Sequence, residues 1–283
     1  MPAVLRDRRL LTLYAAYHRE HVHVRDTIDA HIQRLWRSLP DYRDESISRF
    51  AATTATVVTA GQRRVGTITD AYLTRRQVLF AGERPPSGSV PLDALDDEAI
   101  RGVPATEVYG RTGPEVWRAL EAGKPLSDAV EAGLTRARKM AATDLQLAMT
   151  HSAQHSAKRR GVKWYRRELA SSNPCGLCVV ASTQRYHVGT LMPIHPACHC
   201  EVAEEYSAGD PGRVIDPDRL AHAHDAIRER FGAWDAGSRE IDADNPVTGE
   251  ALKYQDVLFV HEHGELGPVL GVRGQNFKGP DDI

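Results

Sequence analysis

The sequence has little of several things, and each shortage narrows the reading. Aromatic residues are only 6% of the chain. The interior must then be packed mainly by Leu, Val, Ile and Ala, a supply that suits helices. No run of about 18 apolar residues occurs, so nothing reads as a membrane span. Net charge is −2, so whole-chain electrostatics point neither to DNA nor to an anionic membrane. The first residues, MPAVLRDRRLLTLYAAYHREH, hold no unbroken apolar core and no cleavage site, and do not read as a signal peptide. The expected setting is intracellular and reducing. Cysteines number 4; in a reducing setting, clustered cysteines are metal ligands sooner than disulfides.

What is present is ordinary for a soluble globular protein: 283 residues, 41% hydrophobic and 26% charged. That length allows two domains, or one domain and an arm. Apolar positions Leu10, Tyr14, Tyr17, Val24, Ile28, Ile32, Leu35 and Leu39 recur at steps of three and four, one face of a long helix, with His21 filling the gap. Pro40 should break it, and Asp41 should cap the next helix. There the stripe is Ile47, Phe50, Thr54, Val57, Gly61, Val65, Ile68 and Tyr72. The pair reads as an antiparallel helical hairpin, each arm roughly 45 Å long at about 1.5 Å per residue.

Residues 82–91, GERPPSGSVP, read as a linker. Short helices are expected near Asp93–Ile100 and Pro114–Glu121. Ser127 should cap a third long helix with stripe Val130, Leu134, Ala137, Ala141, Leu145 and Ala148, ending near Gly161. Beyond it, Val162–Leu169, Gln184–Val188 and Cys200–Tyr206 read as strands, Arg219–Phe231 as helix and Asp235–Tyr254 as loop. Val257–His261 and Val269–Val272 read as further strands. The expected architecture is α+β, divided into a hairpin arm (1–84), a linker with short helices (85–125), a helix with a metal-binding domain (126–206) and an irregular mixed segment (207–283).

All cysteines fall between Cys175 and Cys200, in NPCGLCVVASTQRYHVGTLMPIHPACHC. Cys175 and Cys178 have zinc-knuckle spacing, and His195 and Cys198 form a second close pair. Zinc takes four soft or borderline ligands at tetrahedral corners, and two tight turns supply two each. The candidate set is Cys175, Cys178 and His195 with one of Cys198 and Cys200. On a strand these last two face one side and His199 the other, which leaves His199 and His187 weaker candidates. A closed set of this kind implies one structural ion per chain, stabilising the fold by on the order of 10 kcal/mol or more. The bland alternative is four buried thiols or two disulfides. Zinc deaminases share the P-C-x-x-C half of this pattern, with an earlier H-x-E. His18-Arg-Glu20 has that form but lies far upstream in a long helix, and His261-Glu-His263 follows the cysteines, so a deaminase is rejected.

The order of a long helix, a strand with Trp164, the C-x-x-C pair, a strand and turn with Tyr186 and Gly189, and His195-Pro-Ala-Cys198-His199-Cys200 resembles the MuF-like minor capsid proteins, or head morphogenesis proteins, of tailed bacteriophages. The form is similar to members from phages of actinobacteria. The resemblance covers Val130 to Tyr206; His263-Gly-Glu-Leu-Gly-Pro268 also resembles a segment that follows the cysteines in such proteins. It implies a non-enzymatic structural protein that associates with the portal protein and other head proteins during assembly. It further implies several copies in the virion, in the capsid interior or at the portal vertex, after assembly in the host cytoplasm. No Ser/His/Asp set is recognisable, and no protease or toxin extension is found.

The strongest basic stretch holds Lys158, Arg159, Arg160, Lys163, Trp164, Arg166 and Arg167. Aromatics within a basic run can stack on bases, so the alternative function is a nucleic-acid-binding zinc module, nuclease-like, with DNA contact through these residues. The bland reading is a helix C-terminus followed by an edge strand with a solvated basic face. His18, His21, His23 and His31 lie on the first helix without matching Cys or carboxylate partners. His261 and His263, with Glu265, read as surface residues of a turn rich in Gly and Pro.

Overall fold

Two apolar stripes interrupted at Pro40 give helices that run back along each other. The structure, a computed structural model, describes residues 3–82, 100–168, 182, 185–187 and 201–205, and the backbone of 241–244, 251–252, 258–263 and 267–272. It is mostly helical, with a small three-stranded antiparallel sheet, and divides into two units after Gly161.

The helical unit holds α1 (Ala3–Arg37), α2 (Asp44–Ala81), α3 (Ala105–Gly110), α4 (Thr112–Glu121) and α5 (Leu126–Arg159). Arg34 and Arg37 in the last turn of α1, and Asp44 and Glu45 in the first turn of α2, suit the helix dipoles on either side of the Pro40 break. Asp41 does not cap α2. Arg43 holds the N-cap position, and the Asp41 carboxylate accepts the Arg43 N–H at 3.1 Å, an Asx turn one step earlier. Ser127 is likewise inside the first turn of α5, where its hydroxyl donates to Asp128 at 3.1 Å; Pro125 holds the N-cap place. Proline's fixed φ, −56° here, sets the chain's entry into the helix without a side-chain cap.

Tyr17, Val24, Ile28 and Ile32 of α1 are buried as the stripe requires. At the C-terminal end the buried residue is Trp36 instead of Leu35 or Leu39. A 3.6-residue period carries Ile28 and Ile32 to Trp36, whose indole N–H donates to the Val130 carbonyl of α5 at 3.1 Å. In α2, Val58 and Thr69 are buried instead of Val57 and Ile68. The reason is that α2 lies against α1, α3 and α5 together. A helix with neighbours on several sides buries more than one stripe, and polar Thr54, Gln62 and Thr69 go in with it.

Two glycines mark where helices come closest. A Cβ on Gly61 would lie 2.9 Å from Leu145 and 3.1 Å from Ile28, so α1, α2 and α5 converge there. A Cβ on Gly133 would lie 2.7 Å from both Trp36 and Val116, where α1 and α4 meet α5. Between Thr143 and Thr150 every residue of α5 is buried. That goes beyond the single stripe expected, and Ala, Ser and Thr along α5 permit the close packing. Ser152 supports it by donating to the Gly66 carbonyl at 2.9 Å.

The second unit holds β1 (Trp164–Glu168), β2 (Arg185–His187) and β3 (Glu201–Glu205), in sheet order β2-β1-β3. Each lies within a segment expected to be strand. The hairpin of β4 (Ile241–Asp244) and β5 (Ala251–Leu252) corrects the expected loop over Asp235–Tyr254: apolar and acidic residues alternate through Ile241–Asp244 and let it pair. β6 (Leu258–His263) pairs with β7 (Gly267–Val272). The expected linker beyond Gly82, the segment Asp93–Ile100 up to residue 99, and the Arg219–Phe231 helix lie outside the described residues. No described helix is long and apolar enough to cross a membrane.

Candidate functional site

The site is built around β1. Its pleat sends Tyr165 and Arg167 to one face and Trp164, Arg166 and Glu168 to the other. Register places Tyr186 and Glu204 opposite Tyr165, and Val202 opposite Arg167. This first face is buried: Tyr165, Arg167, Val202 and Glu204 are each at most 2% exposed. Arg167 lies 5.5 Å from the Tyr186 ring, and Tyr186 stacks on Tyr165. Burial pushes the Tyr165 phenol well above its ordinary value, so it stays protonated. On the second face Arg166 donates to Glu205 at 3.0 Å, and the Trp164 ring meets His187 edge-on at 5.5 Å.

Glu168, at the end of β1, stands opposite Glu201, the start of β3, while β2 begins beside Arg166. In sequence, Cys175 and Cys178 lie between the end of β1 and the start of β2, and Cys200 directly precedes Glu201. The candidate ligands Cys175, Cys178, His195, Cys198 and Cys200 themselves lie outside the described residues, as does His199. Among the described residues no group of three or more His, Cys, Asp or Glu could hold a metal. His18 and His21 instead pack on Tyr14 and Tyr17. Burial pushes His21 down to about 3, helped by His18 and Arg25, so it is neutral near pH 7. His261 and His263 fall on β6, described by backbone alone.

The basic stretch does not form one cationic strip. Arg159 and Arg160 each donate to Asp70 of α2 at 3.0 Å, and Ser156 donates to the same carboxylate. Arg160 also reaches the Thr74 hydroxyl at 2.5 Å. Arg166 is bound to Glu205, and Arg167 is fully buried. Lys158 and Lys163 are exposed, with Trp164 partly so. Three of the seven candidate residues thus have carboxylate partners, because β3 and α2 bring acceptors that sequence distance hides, and a fourth, Arg167, is buried beside the Tyr186 ring of β2.

The sequence reading missed a second polar group inside the helical unit. Asp144 of α5, fully buried, accepts from the Tyr109 hydroxyl at 2.5 Å and from buried Arg101. An acidic residue one position off the expected α5 stripe was the available signal. This group ties the segment leading into α3 to α5.

The chain matches no protein-family model, no curated protein and no solved structure.

Proposed function

We propose that this is a non-enzymatic minor head component of a tailed bacteriophage, akin to the head morphogenesis proteins it resembles, with one structural zinc per chain. The observation that supports the reading is the sheet order. The three strands flank the two cysteine segments in the sequence order strand, C-x-x-C, strand, H-P-x-C-x-C, strand, after a long helix ending at Arg159. The ligands are Cys175, Cys178 and His195 with Cys198 or Cys200, and the ion's part is structural. The helical unit is the side that docks on the portal, since long helices present faces that pack on other helices. The nucleic-acid zinc module is the weaker reading, because Arg159, Arg160, Arg166 and Arg167 are held internally.

Mass spectrometry of purified proheads and virions tests the reading. The protein should be found there in several copies, and should co-purify with portal protein when the two are co-expressed. Removing residues 3–82 should abolish that co-purification. Absence from both particles would remove the head-component reading.

A further inference from the structure

The three long helices of the helical unit are tied to one another directly. Tyr17 of α1 stacks on Tyr72 of α2 at 4.1 Å, and its hydroxyl shares a hydrogen bond with Thr69 at 3.0 Å. Arg138 of α5 donates to Asp29 of α1 at 2.6 Å and 3.0 Å. Ser156 and Arg159 of α5 donate to Asp70 of α2. None of these ties passes through α3 or α4.

The two short helices lie over this bundle as a strap. Val108 and Tyr109 of α3 and Val116 and Ala119 of α4 are buried. Val116 meets Trp36 of α1 at Gly133, where a Cβ would lie 2.7 Å from both. At Gly113 a Cβ would lie 3.1 Å from Ile47 of α2. Two exposed ion pairs of the strap, Arg111 with Glu107 and Arg118 with Glu115, stay within it. Two buried polar ties from this segment end on a single carboxylate of the bundle. Asp144 of α5 accepts from Tyr109 of α3 and from Arg101, the residue before the turn at Gly102. The strap joins α5 through a turn at Gly123, where φ is +79° and a Cβ would meet nothing within 4 Å.

We propose that α3 and α4 open and close on the bundle as one unit, turning at Gly123, with Asp144 as the latch. The inference does not depend on the head-component reading. A buried ion pair adds little net stability against an apolar replacement, because both charges give up water. What it supplies is an all-or-none contact. A half-open strap would hold two buried charges apart, so only the closed state and the hydrated open state are favourable. Gly123 can change its backbone angles at no steric cost, and the open space around it leaves the turn unobstructed. Elements that open short of global unfolding are those with few buried apolar contacts, and the strap's short helices have far fewer buried apolar side chains than α1, α2 and α5. Opening uncovers Trp36 and Ile47 while the long helices stay packed on one another. The same surface is then polar with the strap closed and apolar with it open.

The experiment is native-state hydrogen exchange of the full chain, read by mass spectrometry on peptides from each helix. In the unaltered protein, α3 and α4 should exchange faster than the peptides containing Ile32 and Val58, which report α1 and α2. Asp144→Asn keeps the size of the side chain and an acceptor for Tyr109, but removes the charge facing Arg101. It should speed exchange in α3 and α4 at least about tenfold, as expected for losing a charge-assisted hydrogen bond. The Ile32 and Val58 peptides should stay within about threefold, since their opening does not involve the strap. Tyr109→Phe keeps the ring and removes one tie, so it should speed the same two helices by a smaller factor, about fivefold. It also carries the test if Asp144→Asn fails to fold. Asp29→Asn, which breaks a tie between α1 and α5, should leave the strap within about threefold of its original rate. Three results would overturn the proposal: α3 and α4 exchanging no faster than the Ile32 and Val58 peptides in the unaltered protein, neither latch variant accelerating the strap, or the latch variants accelerating α1 and α2 as much as α3 and α4.

Discussion

The helical unit and the strand unit bury charge against very different backgrounds. In the helical unit Asp144 of α5 and Arg101 are buried beside Tyr109 of α3, in a unit with three helices of 34 to 38 residues whose core includes Ile32, Trp36, Val58, Leu73 and Met140. In the strand unit the strands of the sheet are 3 to 5 residues long. Their fully buried residues include Arg167, Glu201 and Glu204 beside Tyr165, Val202 and Ala203. Among the described residues that sheet has about as much buried charge as apolar surface. Small units with so little core need a staple, a metal or a disulfide, to hold them. On the proposed zinc reading, the cysteine cluster would be that staple for the strand unit and would leave the helical unit untouched.

The sharpest way to break this comparison is to remove the staple. If the proposed zinc is bound, Cys175→Ser should lose it and, with it, on the order of 10 kcal/mol of folding free energy in the strand unit. Hydrogen exchange should then show Tyr165 and Val202 amides unprotected while Ile32 and Val58 remain protected. If strand amides stay protected in metal-free, reduced protein, the two units do not differ in the way argued.

The next largest effect belongs to the helical unit. Asp144→Ala leaves the buried Arg101 without its carboxylate and should cost about 3–5 kcal/mol. Thermal melting followed by helical ellipticity would measure it, and zinc content should be unchanged. A loss below 1 kcal/mol would mean that the guanidinium has a water-filled escape. Gly133→Ala tests packing alone. The new methyl would sit 2.7 Å from Trp36 and Val116, both in the fully packed interior, so about 1–3 kcal/mol should be lost. Gly123→Ala, where φ is +79° but nothing lies near, should cost less and only through backbone strain.

The smallest effect near neutral pH, growing as pH falls, is a pH dependence that separates the units. His21 protonates near 6.5 when unfolded and near 3 when folded. Unfolding therefore takes up a proton between those values. The stability is fully present above about pH 6.5 and declines as pH falls towards 3, by about 1.4 kcal/mol per unit at most. His18, His151 and His155 are lowered by burial in the same direction, with nearby cations adding to it. Replacing His21 with Phe should flatten the acid limb of the helical melt. An unchanged slope would assign acid sensitivity to the other histidines.

Much of the helical unit was legible because periodicity is a local signal. Steps of three and four, one proline and two charged turns suffice to place α1 and α2, and the strands flanking the cysteines follow from β-branched and aromatic runs. What misled was the choice among adjacent residues: Leu35 for Trp36, Val57 for Val58, Ile68 for Thr69. Hydrophobicity ranks each of the last two pairs the wrong way or not at all, since which residue is buried depends on how many neighbours surround the helix. The caps failed for a related reason. Asp41 and Ser127 have the right chemistry, but Arg43 and Pro125 already set the backbone.

The sequence by itself determined the helical periods, the break at Pro40, the strand segments that flank the cysteines and the clustering of every cysteine within one short stretch. These depend on residues a few positions apart, where spacing translates directly into a face or a turn. Only the tertiary structure decided which charges are internal and which remain on the surface. The Lys158–Arg167 run looks like one cationic strip in sequence. Asp70 and Glu205, far away along the chain, take Arg159, Arg160 and Arg166, half of its cations, while Arg8, Arg75 and Lys158, equally far apart, come to share one end of the helical unit. Coulombic pairing acts over a few ångströms of space and is blind to sequence separation, so the charge pattern of this protein exists only once the helices are packed.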